Sequence, residues 1–112
     1  MGEVRVHTQV YTGPLDLLLY LCRRAEVDIY DLPVAEIAEQ YINELEKMET
    51  IDLEYAGEFL TMAANLLKLK SELVLARSEE RAEAENERAR LVRQLLEYKR
   101  IRDMATLLDE SW

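Results

Sequence analysis

Apolar and polar residues alternate at the start of the chain and then settle into helical spacing. Val4, Val6 and Val10 alternate with Glu3, Arg5, His7 and Gln9, the period-two pattern of a short strand with one buried face. Val27 and Ile29 repeat it briefly and are the only candidate for pairing with it. Between them, Thr12-Gly13-Pro14 makes a turn and opens a helix, because proline at the first helical position gives up no useful donor. Leu15, Leu18, Leu19 and Cys22 form its stripe and Leu17 and Leu21 widen it. Asp16 suits the positive end and Arg23 and Arg24 the negative one, which predicts a first helix over 14–24. Asp31-Leu32-Pro33 repeats the start signal. Val34, Ile37, Ala38, Tyr41, Ile42, Leu45 and Met48 then predict a second helix over 33–48, with Glu36, Glu39, Asn43, Glu44, Glu46 and Lys47 on its solvated side.

The third helix is expected from Asp52, a good N-cap, to Ala76. At 100° per residue its polar positions Glu54, Glu58, Thr61, Asn65, Lys68 and Glu72 fall in a wedge of about 80°, and nearly all the rest is apolar. That is about twice the stripe an outer helix of a small bundle needs. The surface divides into two rows. Leu53, Ala56, Leu60, Ala63, Ala64, Leu67 and Val74 have many small members, while Tyr55, Phe59, Met62, Leu66, Leu69 and Leu73 are bulkier. One row can serve the core while the other takes a partner. The expectation is that Leu60, Ala63 and Leu67 join Leu15, Leu18, Leu19, Ile37 and Tyr41 in the core. The bulkier row then stays available, so that a charge at Met62 blocks docking without unfolding the domain.

Residues 77–90 intersperse Arg and Glu with alanine and show no apolar face, which reads as a linker or an exposed helix with charge pairs. Beyond them Leu91, Leu95, Tyr98, Ile101, Ala105 and Leu108 recur at steps of three and four, predicting a fourth helix over 88–109. Either it closes the open side of a four-helix bundle or it docks on another chain; truncation at Arg77 destabilises the bundle only in the first case. The fold class expected is all-α. Three helices make a bundle within 1–76, a charged linker covers 77–90, and a separate amphipathic helix occupies 91–112, with a short extended segment at the N-terminus.

Composition narrows the function. The 112 residues, 49% of them apolar, suffice for one domain, and a lone cysteine, Cys22, cannot build a disulfide framework. A reducing cytoplasm fits this best. The net charge of −9 repels phosphate backbones, so direct nucleic-acid binding is not expected. No apolar run reaches the roughly 20 residues needed to span a bilayer, which excludes membrane insertion. The acidity is local: residues 1–76 carry 6 basic and 14 acidic side chains, residues 77–112 carry 8 and 9. His7 reads as a surface residue and Cys22 as a small apolar filler, so neither suits catalysis. Glu-x-x-His pairs, paired cysteines and glycine-rich phosphate loops are missing from the sequence, so neither a catalytic apparatus nor a metal or other cofactor is expected. An apolar surface that wants a partner remains. A second copy of the chain is one occupant for it, since apolar area of this size rarely stays wet.

Gly13-Pro14-Leu15-Asp16-Leu17-Leu18-Leu19, Ile29-Tyr30-Asp31-Leu32-Pro33, Gln40-Tyr41, Glu58-Phe59-Leu60-Thr61-Met62-Ala63-Ala64 and Lys70-Ser71 occur in this order. Together they closely resemble the N-terminal region of the ScpA kleisins, the bacterial segregation and condensation family, over about residues 4–76. A weaker resemblance continues through Leu91-Val92-Arg93-Gln94-Leu95-Leu96-Glu97-Tyr98-Lys99. The resemblance implies a bridging subunit of an SMC complex acting in the cytoplasm beside the nucleoid. Its N-terminal helical domain would pack on the coiled-coil neck of one SMC ATPase, and its next segment on a ScpB dimer. Carried onto this chain, Tyr55, Phe59, Met62, Leu66, Leu69 and Leu73 are the expected neck contacts. Leu91, Leu95, Tyr98, Ile101, Ala105 and Leu108 are the expected ScpB contacts. The chain departs from the family pattern in having Ala76 where a proline usually ends the third helix and Glu72 where a basic residue is common. It also stops at Trp112, short of the family's winged helix, and so is expected to be a fragment.

Overall fold

A computed structural model describes residues 4–6, 9–47, 56–75 and 77–110. The N-terminal segment forms two strands, β1 (Val4–Val6) and β2 (Gln9–Tyr11), paired antiparallel with Val4 opposite Tyr11 and Val6 opposite Gln9. The extended segment therefore pairs with itself as a hairpin, and not with Val27 and Ile29. Among the described residues three α-helices follow, α1 (Pro14–Arg24), α2 (Val34–Glu46) and α3 (Gly57–Leu75), and a fourth, α4 (Ser78–Glu110), completes an essentially helical fold.

α1 has the predicted bounds for the predicted reasons. Pro14 stands at its first position, and Asp16 in the first turn reaches back to accept from the Thr12 backbone N–H at 3.0 Å. It ends in a Schellman motif: the Glu26 N–H donates to the Arg23 carbonyl at 3.1 Å and the Val27 N–H to the Cys22 carbonyl at 3.1 Å. Val27 thus serves as the apolar residue after a helix cap, and Ile29 begins a short 3₁₀ turn (Ile29–Asp31) whose first N–H bonds are organised by Asp28. Their apparent alternation comes from two successive turns and is not a strand. α2 begins one residue after Pro33 and ends at Glu46; Met48 and the expected helix start at Asp52 lie outside the described residues.

α1, α2 and α3 pack around Leu17, Leu18, Leu21, Ile37, Ala38, Tyr41, Phe59 and Leu66. Tyr41 carries its hydroxyl into this core and donates to the Phe59 carbonyl at 2.9 Å, so the polar group is satisfied where it is buried.

α4 departs most from expectation. It is one continuous helix of 33 residues beginning at Ser78, so of the two alternatives for the charged segment the helix holds and the linker does not. Alanine, glutamate and arginine are strong helix formers, and Glu79 and Glu80 complement the positive N-terminus. Nor is the helix separate. Ala84, Leu91, Val92 and Leu95 are buried in the same core as the first three helices, and α4 packs on α1, α3 and the 3₁₀ turn. It closes the fourth side of the bundle. Its length, about 50 Å at 1.5 Å per residue, sets the 51 Å long axis of the molecule.

Candidate partner-docking faces

The two apolar rows of α3 have different surroundings; Ala63 is buried as expected, but the large residues Leu60 and Leu67 on one row and Phe59, Leu66 and Leu69 on the other have the reverse of their expected exposure. Phe59, Leu66 and Leu69 of the bulkier row are buried in the core, while Met62 and Leu73 are half-buried against it; Tyr55 lies outside the described residues. From the other row, Ala56 and Ala63 are buried, but Leu60 and Leu67 are each 49% exposed and Val74 64%. The reason is α4. A fourth helix arriving from one side shields Met62, Leu66 and Leu69, which share a groove with Leu91 and Gln94. Among the described residues, no helix lies against the opposite flank of α3. Leu60 and Leu67, expected in the core, are therefore the surface residues.

The stripe on α4 is divided in the same way. Leu91 and Leu95 are buried inside the bundle, and Tyr98 is half-buried with its hydroxyl 3.1 Å from the Thr12 hydroxyl. Ile101, Ala105 and Leu108 are exposed, together with Met104 and Leu107. One helix thus has a core half and a surface half. The transition is pinned by Arg102, whose guanidinium bonds the buried Asp16 carboxylate at 2.6 Å.

Two structural residues within the charged segment escaped the sequence reading. Arg88 donates from Nε to the Leu32 carbonyl at 2.9 Å and from Nη2 to Asp31 at 3.0 Å, tying α4 to the turn before α2. Ala84 is buried four residues earlier. Ala84, Arg88, Leu91, Val92 and Leu95 share one helical face, so the seam could have been followed backwards had an arginine been admitted as a packed residue.

The ionisable groups inside the fold are structural. Arg24 donates to the buried Glu44 carboxylate at 2.8 Å and Lys47 to the same oxygen at 3.3 Å. Burial pushes the Glu44 pKa up, but the hydrogen bonds and charges of Arg24 and Lys47 outweigh it and hold the group below its ordinary range. Arg24 also lies over the Tyr20 ring, 5.5 Å from its centroid, and Tyr20 packs on Tyr11. Burial raises the Tyr11 hydroxyl to about 12 and the Cys22 thiol to about 11, so Cys22 is a neutral thiol at neutral pH and a poor nucleophile. Among the described residues no three His, Cys, Asp or Glu side chains converge as a metal site, and no helix is long and apolar enough to cross a membrane.

Residues 21–111 match the family described as Segregation and condensation protein ScpA. Proteins of that name from Enterococcus faecalis and Bacillus subtilis are each 43% identical to the chain, over 99% and 98% of it, and one from Brevibacillus brevis is 47% identical over 89%. The chain spans about half the length of these relatives, 45%, 46% and 43% respectively.

Proposed function

The chain belongs to the family of segregation and condensation protein ScpA, and from that premise we propose that it is a non-catalytic bridging subunit of an SMC complex that condenses and segregates chromosomes. It works in the cytoplasm, next to the nucleoid, with ATP turnover left to the SMC protein. The observation that carries this reading is the exposed flank of α3, where Leu60, Leu67 and Val74 present an apolar face that none of the described helices covers. A coiled-coil neck can bury such a face by adding its helices to the bundle. The neck-facing residues are then Leu60, Leu67 and Val74. The bulkier row contributes at most the half-buried Met62 and Leu73, because Phe59, Leu66 and Leu69 are already committed to the core.

ScpB is gripped by the surface half of α4, through Ile101, Met104, Ala105 and Leu108, while Leu91 and Leu95 act indirectly by seating the helix. Separate faces let one chain hold both partners at once. Co-purification with an SMC head that retains its neck tests the reading. The native chain is expected to be retained and Leu67→Glu to be lost, with unchanged circular dichroism. Failure of the native chain to co-purify would reject it.

A further inference from the structure

The exposed flank of α3 repeats every seven residues. Gly57, Leu60, Ala64, Leu67, Ser71 and Val74 follow one another at alternating steps of three and four, and all six are exposed. Small and aliphatic residues alternate without exception: Gly, Ala and Ser occupy one seam position, Leu, Leu and Val the other. A seam with bulk at both positions keeps a partner helix at the far end of the usual range of about 8–10 Å between axes, whereas small residues at every second position admit the near end. A Cβ added at Gly57 would meet nothing within 4 Å, so no contact among the described residues demands its small size.

The positions flanking the seam carry the second signal. They are Thr61, Lys68 and Leu75 on one side and Ala63 and Lys70 on the other, which Arg77 continues past the helix end. Every charged side chain among them is a cation, although the chain as a whole has a net charge of −9. Among the described residues, none of Lys68, Lys70 and Arg77 takes part in an ion pair. Flanking charges of this kind set partner choice in paired helices.

Resting on the reading of α3 as a docking element, we propose that this face accepts a closely approaching helix of a different protein, with acidic residues flanking its own apolar seam. Ala64 and Ser71 fix the distance of approach, and Lys68, Lys70 and Arg77 select the partner. A second copy of this chain is the wrong occupant. Whether two α3 helices paired parallel or antiparallel, flanking cations would meet only cations or neutral residues.

The test uses the full chain and two synthetic antiparallel helical hairpins. One carries alternating leucine and alanine along its outer seam with glutamate at the flanks; its twin has lysine in place of each glutamate. The glutamate hairpin is expected to bind, and the lysine twin to bind at least about tenfold more weakly. Ala64→Leu and Ser71→Leu change exposed positions, so each is expected to keep its circular dichroism and lose about tenfold or more in affinity. The double variant Lys68→Glu/Lys70→Glu is expected to reverse the preference between the twins. Equal binding of both hairpins, no binding of either, or full binding by the leucine variants overturns the proposal. Parallel capture of an SMC head with its neck separates the two readings. Loss of that capture while the hairpins behave as expected rejects the SMC assignment alone, and SMC capture that Ala64→Leu leaves intact rejects the close seam alone.

Discussion

Glu26 closes α1 in a backbone conformation that side chains rarely adopt, with φ of 55°. The Schellman hydrogen bonds from Glu26 and Val27 hold it there, and glycine would reach the same conformation without crowding its Cβ. Glu26→Gly is therefore expected to raise stability by up to about 1 kcal/mol in urea unfolding, offset in part by the greater freedom of the unfolded chain. Glu44 is expected to make part of the fold's stability sensitive to acid. Its folded pKa lies below the ordinary 4.5, so the carboxylate's contribution is complete above the unfolded value and is lost as pH falls through the folded one. Unfolding midpoints measured from pH 7 down to pH 3 should show this loss in the native chain and a flatter acid limb in Glu44→Gln. The variant should start from a lower midpoint at pH 7, because it leaves Arg24 and Lys47 beside an uncharged amide.

Each long helix divides its apolar surface between the core and solvent, α3 around its circumference and α4 along its length. On α3 the division makes opposite predictions for neighbouring residues. Met62→Asp puts a charge against the core and should lower the unfolding midpoint, whereas Leu67→Glu should leave it within about 0.5 kcal/mol, as for other surface changes. Equal destabilisation by the two would mean that Leu67 is packed. On α4, Leu95 is fully buried and Leu108 is exposed. Burial of a leucine is worth about 1.5–3 kcal/mol, enough to hold a helix whose charged first turns contribute little apolar area.

At the scale of the whole molecule, α4 decides whether the remaining helices are stable. Removing everything after Arg77 takes Ala84, Leu91, Val92 and Leu95 out of the core and uncovers Met62, Leu66 and Leu69. The shortened chain is expected to lose at least about 3 kcal/mol in urea unfolding, and to bind a dye for exposed apolar surface or to associate in sedimentation. A truncated chain as stable as the full one would show α4 to be a passenger. Both exposed apolar faces depend on this arrangement. α4 shields one flank of α3 and leaves the other open, with Arg88 tying its packed half to the turn before α2 and Arg102 marking where that half stops.

Local chemistry determined what could be read directly. Pro14, Asp16, Arg23 and Arg24 set the bounds of α1, and Pro33 with the apolar spacing after it located α2 to within two residues at either end. The excess apolar surface of the third helix was equally legible, because helical periodicity depends only on residue order. Which flank of that helix would be covered was not, since both rows are apolar enough for a core. The choice fell to α4, whose approach depends on Arg88 reaching a backbone carbonyl 56 residues away and Arg102 a carboxylate 86 residues away. Spacing along a chain records the faces of a single helix, whereas which face another helix covers is settled by contacts between distant segments, and only the folded molecule holds these.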